Sequence, residues 1–259
     1  MRADYHVHSR YSDDSSTPMR DQVRQAEKLG LDELCFTDHV DYAVESGIDF
    51  PSYFREIEAL RAKTSLKVKA GLEFGIQSHT AARYEDLFAK YCDKLDFVLL
   101  SVHQVDDLDL WGGGYMYGMT QAQYNMGYYE ELLRVIKSYH DYSVLAHLDL
   151  IVRYDPAGVF PFEKVRDIME EILRTAINDG KGIELNTSSW RYGLSDTQPS
   201  RAILKLYREL GGEILTLGSD AHNPSYLAAH MDEAREILRG LGYREFCTFN
   251  KMRPTFHEL

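Results

Sequence analysis

The feature that most limits what this chain can fold into is a rhythm, in which a short apolar run is followed by a longer amphipathic stretch, seven times over 259 residues. The runs lie near Arg2–Val7, Glu33–Thr37, Lys67–Leu72, Phe97–Val102, Ser143–Ala146, Gly182–Leu185 and Glu213–Leu217. They have the length of strands and the near-continuous apolar character of strands covered on both faces. Helical spacing fills the intervals near Met19–Leu29, Tyr53–Lys63, Thr80–Tyr91, Thr120–Tyr139, Phe162–Asn178, Ser200–Leu210 and Pro224–Leu238. Strands alternating with helices imply parallel pairing through right-handed crossovers, so the fold class is α/β. Thr17-Pro18 reads as an N-cap followed by an N1 proline, and Gly30, Gly180 and Gly211 read as helix-ending glycines. The segment Asp106–Gly118, with Gly112-Gly113-Gly114 and Trp111, Tyr115 and Tyr117, fits neither period and reads as a loop over a pocket mouth.

Metal-ligating residue types recur where the apolar runs stop. The chain begins Asp4-Tyr5-His6-Val7-His8, and alternation along a strand places His6 and His8 on one face. Later runs lead into Asp38-His39, Glu73, His103, His147 and Asp220-Ala221-His222. A lone histidine beside an apolar run is usually a hydrogen-bonded core or surface residue, and His79, His140, His230 and His257 are read that way. Glu73 closes an otherwise apolar run, where an unpaired charge is costly to bury. Imidazoles and carboxylates without cysteine ligands suit zinc, manganese or iron. They are too many for one ion and point to two or three ions with an open position, the arrangement of a metal-dependent hydrolase. Ligands from six strand ends converge on one point in a closed barrel more readily than in an open sheet. The expected fold is therefore a distorted seven-stranded (β/α)7 TIM-like barrel, one strand short of the usual eight, with residues 1–259 as a single domain.

Composition narrows the partners. A formal net charge of -12 argues against duplex nucleic acid, whose backbone is bound by basic surfaces. The apolar runs are far shorter than a membrane span, so no membrane association is expected. With no basic segment followed by an apolar signal region ahead of the first strand, the expected location is the cytoplasm. Cys35, Cys92 and Cys247 are widely spaced and read as reduced thiols, with Cys35 in the core. Oligomeric state leaves no mark on the sequence.

Asp4-Tyr5-His6-Val7-His8-Ser9, Phe36-Thr37-Asp38-His39, Gly71-Leu72-Glu73, Ser101-Val102-His103, Ala146-His147-Leu148-Asp149 and Gly218-Ser219-Asp220-Ala221-His222 together resemble the polymerase and histidinol phosphatase (PHP) family over nearly the whole chain. The resemblance implies a seven-stranded barrel with a trinuclear site. It places one ion on His6, His8, Glu73 and Asp220, a second on Glu73, His103 and His147, and a third on Asp14, His39 and His222. Asp13 is the alternative to Asp14, because branches of the family differ by one position there. Asp38, Asp149 and Glu184 are expected to be structural or to orient ligand imidazoles. Three divalent cations bring about six positive charges against three carboxylates and one hydroxide, leaving roughly +2 to attract a phosphate.

Ser9-Arg10-Tyr11-Ser12-Asp13-Asp14-Ser15, the run from His147 to Tyr154 and the run from Glu184 to Arg191 are similar to the histidinol-phosphatase branch. In that branch the arginine after the histidine faces the substrate phosphate, which selects Arg153 as the clamp, because a planar guanidinium binds two phosphate oxygens at once. Arg191 is a weaker second candidate. Ser189-Trp190 departs from the branch, which often has glycine and a small or aliphatic residue there; the departure bears on substrate specificity rather than hydrolysis. The expected substrate is a small phosphorylated molecule, L-histidinol phosphate, hydrolysed in histidine biosynthesis. The alternatives are another phosphomonoester (a nucleotide, a sugar phosphate or phosphotyrosine) and a non-catalytic metal-binding barrel.

Overall fold

The computed structural model describes residues 1–42 and 47–259. In chain order the elements are β1 Ala3–Val7, α1 Met19–Leu29, β2 Glu33–Phe36, β3 His39–Asp41, α2 Phe50–Arg61, β4 Lys67–Gly75, α3 Ala81–Tyr91, β5 Phe97–Ser101, β6 Gln104–Val105, β7 Leu108–Asp109, α4 Gln121–Ser138, β8 Val144–Leu145, α5 Ile151–Tyr154, α6 Phe162–Asn178, β9 Gly182–Asn186, α7 Arg201–Glu209, β10 Leu215–Gly218, α8 Met231–Gly240, β11 Glu245–Asn250 and β12 Arg253–Glu258. Every run of the sequence rhythm became a strand and every interval holds a helix, although the last helix begins at Met231, seven residues after the expected start at Pro224.

Parallel strands pair in the order β1-β2-β4-β5-β8-β9-β10. A bridge between Val7 and Ala221 joins the two ends, with His8 N donating to the Ala221 carbonyl at 3.0 Å. The result is a nearly closed, distorted (β/α)7 barrel. All residues of β1, β2, β5, β9 and β10 are buried, as expected of strands filled on the inside and covered by helices outside. Two irregularities bear on the site. β1 carries a bulge between Asp4 and Val7, a device that re-aims side chains near active sites. β2 and β3 are one strand interrupted at Thr37-Asp38, since Phe36 pairs with Ala70 and His39 with Glu73 at an unchanged offset.

Several local expectations needed correction. Pro18, not Thr17, stands at the cap position of α1; the Thr17 hydroxyl instead donates to the His222 carbonyl at 2.8 Å, tying the first loop to the segment after β10. α2 begins three residues early, because Asp49 caps the Ser52 amide and Pro51 sits in the first turn. β4 continues through Glu73 to Gly75, so Glu73 lies inside its strand rather than past its end. The segment after His103 opens with a small hairpin, β6–β7, before its turns begin. The hairpin β11–β12 near the C-terminus carries no sequence signal, because Phe246, Cys247, Thr248 and Phe249 are all buried and show no alternation. It packs on β10, and its Phe249 backbone bonds the Tyr5 hydroxyl on β1. Gly30, Gly180 and Gly211 do end helices with left-handed φ of 66°, 68° and 88°. All three cysteines are free, with Cys35 buried.

Candidate metal centre

Glu73 is the hub. Buried in the middle of the sheet, it brings Oε2 within 3.0 Å of His6 Nε2, 3.1 Å of His39 Nδ1 and 3.5 Å of His8 Nε2. Its other oxygen is 3.2 Å from His103 Nε2 and 3.1 Å from His147 Nε2, and accepts the Ser101 hydroxyl at 2.6 Å. Asp220 Oδ1 stands 3.5 Å from His8 Nε2, 3.8 Å from His6 Nε2 and 3.5 Å from His222 Nδ1. Asp14 Oδ2 closes the far side, 2.9 Å from His222 Nε2 and 3.7 Å from His39 Nε2. Asp13 also lines the pocket, but it is Asp14 that the structure brings against the imidazoles.

The donors fall into overlapping trios: His6, His8 and Asp220; His6, Glu73 and His147; His8, His39 and His222; and His39, Asp41 and His103. His8 Nε2, His39 Nδ1 and His222 Nε2 are buried and make no hydrogen bond among the described residues. Buried imidazole nitrogens that face carboxylates without a hydrogen bond are satisfied by a cation between them, and imidazole-carboxylate donors suit a divalent ion of intermediate softness. The residues present therefore fit a divalent metal centre.

The electrostatics of the cluster follow from crowding. Burial opposes charge on His6 and His103, but Glu184, Glu73, Asp220 and Asp41 outweigh it and hold both well above the ordinary imidazole range. His39 is pushed up to about 9 against its burial, chiefly by Glu73 and Asp14. His8 goes the other way, held neutral by burial and by the neighbouring His222 and His39. Glu73 and Asp220 stay well below the usual carboxylate range because the imidazoles overcome desolvation.

Around the donors lies a set of orienting contacts. Glu184 accepts from His6 Nδ1 at 2.7 Å and from the His147 amide at 2.9 Å. Asp38 touches no imidazole; the Ser12 hydroxyl relays it to His8, 3.0 Å from Nδ1 and 2.8 Å from the carboxylate. Asp149 faces away, capping the Ser200 amide at 2.9 Å. Sequence reasoning missed Asp41, whose Oδ1 lies 2.9 Å from His103 Nδ1. Its signal was the spacing His39-Val40-Asp41, the same one-residue gap read at His6 and His8.

Arg153 enters the pocket wall from the single turn α5. It donates to the Ser188 hydroxyl at 2.7 Å and Gln198 Oε1 at 2.9 Å, pairs with Asp220 Oδ2 at 3.3 Å and stacks on Tyr192 at 4.1 Å. Arg191 points elsewhere, donating to the Asp220 carbonyl at 2.9 Å and stacking on Tyr226. Trp190 stacks on His230 at 5.1 Å and is not among the residues lining the pocket. The pocket holds about 320 Å³ and is lined also by Gln104, Trp111, Leu150 and Tyr154. His79, His140, His230 and His257 lie outside it, with partners Asp107, Asp179, Glu233 and Thr248.

A parallel barrel whose strand ends gather imidazoles and carboxylates around one pocket defines a divalent-metal-binding α/β barrel of the kind that runs hydrolytic chemistry. The chain belongs to the PHP domain family, which it matches over residues 4–188. It is 32% identical to the histidinol-phosphatase of Lactococcus lactis subsp. lactis, over 97% of this chain and 96% of that one. A Thermotoga maritima relative, named a probable histidinol-phosphatase, is 28% identical over 97% of each chain. The crystal structure of the Lactococcus lactis histidinol phosphate phosphatase, complexed with zinc, L-histidinol and phosphate, superposes with a TM-score of 0.90 at 30% identity, covering 98% of both chains. A Listeria monocytogenes structure at 18% identity shares the fold, with a TM-score of 0.76 over 90% of this chain and 99% of that one.

Proposed function

We propose that this protein hydrolyses L-histidinol phosphate to L-histidinol and phosphate. The observation that carries the reading is a single pocket whose floor is the imidazole-carboxylate cluster and whose wall presents the Arg153 guanidinium. The likeness to the Lactococcus lactis enzyme, which holds L-histidinol and phosphate, supports the particular ester.

We assign three divalent ions, on His6, His8, Glu73 and Asp220; on Glu73, His103 and His147; and on Asp14, His39 and His222. Bound there, the ions supply an acidified water and positive charge for the phosphoryl oxygens. Glu73 serves as the shared carboxylate, Glu184 fixes His6 with its Nε2 toward the cluster, and Asp41 and Ser12 do the same for His103 and His8. Arg153 clamps phosphate through its planar donors, with Ser188, Gln198 and Tyr192 holding the guanidinium in place. Trp111, Leu150, Tyr154 and Tyr192 line the space left for the alcohol. Residues 1–259 are read as one phosphoesterase domain: Asp220 and His222 lie beyond the matched family segment yet complete its cluster, and the terminal hairpin is bonded to Tyr5. Among the described residues no helix is long and apolar enough to cross a membrane.

The test is a substrate panel on metal-loaded enzyme, comparing L-histidinol phosphate with AMP, sugar phosphates and phosphotyrosine. Preference for L-histidinol phosphate by orders of magnitude is expected; an equal preference for another ester overturns the assigned substrate, and inactivity with zinc, manganese and iron in turn establishes a non-catalytic barrel. Arg153→Ala is expected to keep its metal while KM rises, kcat falls, or both. His103→Ala and Asp220→Ala are expected to lose metal and turnover together.

A further inference from the structure

A second cavity, of about 300 Å³, lies behind the wall that carries Arg153. That volume is at the lower end of what small-molecule sites occupy. Its lining is strongly apolar, with Tyr129, Val152, Phe160, Phe162, Val165 and Ile203. Asp149, only 3% exposed, is among the residues of this lining. One of its oxygens takes the Ser200 amide, but Oδ1 is buried and has no hydrogen-bond partner among the described residues. Asp196 adds a second carboxylate nearer solvent, shared with Arg201 at 3.3 Å. No Lys, Arg or His is among the described residues lining the cavity. A buried carboxyl oxygen left without a partner is costly, and an apolar space in which Asp149 and Asp196 are, among the described residues, the only acidic or basic ones favours a cation with an apolar body.

We propose that this cavity is a binding site for a small primary ammonium on an aromatic or branched apolar body, with the ammonium on Asp149 Oδ1. The site shares a thin wall with the metal pocket. Across the one turn of α5 and the residues before it, Leu150, Arg153 and Tyr154 line the metal pocket, whereas Asp149 and Val152 line the second cavity. Gln198, which lines the second cavity, links the two sides, accepting from Arg153 Nη2 at 2.9 Å and donating to the Asp149 carbonyl at 3.4 Å. An occupant bonded to Asp149 and packed on Gln198 holds Arg153 in its observed place. Occupancy therefore tightens phosphate binding, and by linkage phosphate tightens the occupant by the same factor.

The experiment titrates metal-loaded, full-length protein with 2-phenylethylamine and, separately, with neutral 2-phenylethanol, following binding by calorimetry with and without inorganic phosphate. Saturable binding of one amine per chain is expected, at least tenfold tighter than the alcohol and strengthened by phosphate. Ala202→Phe, which fills the cavity from α7, is expected to abolish it, and Asp149→Asn to weaken it at least tenfold. Val159→Arg, at an exposed rim position (66%) where folding is not at stake, is expected to weaken it as well. Equal binding of alcohol and amine, absence of saturable binding, competition between amine and phosphate, or amine binding unchanged in Val159→Arg each overturns the proposal.

Discussion

His147 and Asp220 both adopt left-handed backbone conformations, with φ of 23° and 55°, which L-residues with side chains disfavour. Strain of this kind persists only where the surroundings over-determine it. Here the His147 amide is pinned by Glu184 and the Asp220 carbonyl by Arg191. Glu184 thus holds two residues of the cluster at once, through the His6 ring and the His147 backbone. Glu184→Gln keeps the shape but can no longer fix the His6 tautomer by accepting on both oxygens. It is expected to fold normally and to lose about 10- to 100-fold in metal affinity, the usual consequence of removing such a support. Competition with a chromophoric chelator measures this, and wild-type affinity in the variant overturns the role. At this scale the residues of the cluster were most legible where they close apolar runs, as at His103 and Asp220, or repeat along one strand face, as at His6 and His8. It was least legible where support arrives through a neighbour, as with Ser12 relaying Asp38, because nothing in a linear pattern marks a hydroxyl that happens to lie between two elements.

Elements place these residues by interruption as much as by regularity. The break at Thr37-Asp38 lets one strand deliver His39 and Asp41 on the same side as Glu73, and a three-residue strand such as β3 is too short for any period to show in sequence. The same reason hid β6, β7 and α5, whereas the long helices, with their periodic faces, were read within a few residues of their ends. Gly75, at the end of β4, is the steric counterpart of that break. A Cβ there would meet the Asp41 carboxylate and come within 2.8 Å of His103 Nδ1. Gly75→Ala is therefore expected to push Asp41 off His103, costing a stability loss of about 1–3 kcal/mol from overpacking and weakening metal binding with it. Denaturant unfolding and metal analysis on one preparation check both effects. Stability and metal content equal to wild type would mean that the space relaxes and the Asp41–His103 contact is dispensable.

For the whole molecule the consequence of this design is a barrel whose core contains a charge cluster, so its pH response depends on whether metal is present. In the metal-free protein His6, His39 and His103 have raised values, His39 about 9, and act as internal counter-ions to Glu73 and Asp220. A group raised on folding contributes stability that is fully present below its unfolded value, about 6.5 for imidazole, and is lost as pH rises through the folded value. The metal-free protein is therefore expected to lose Tm as pH is raised from 7 towards 9. Glu73 and Asp220, held low, contribute stability that is instead lost in acid. Divalent ions take over the counter-charge, so the loaded protein should hold a higher Tm and show little of the alkaline loss. Because ligating imidazoles must be neutral, loading at pH 7 has to expel protons from His6, His39 and His103, and apparent affinity should climb with pH until about 9. Calorimetry of metal binding in buffers of different ionisation enthalpy counts those protons, and parallel melts with and without chelator test the stability arm. Loading at pH 7 without net proton release, or equal alkaline loss of Tm in both forms, would mean that the imidazoles are not the counter-ions of the empty barrel.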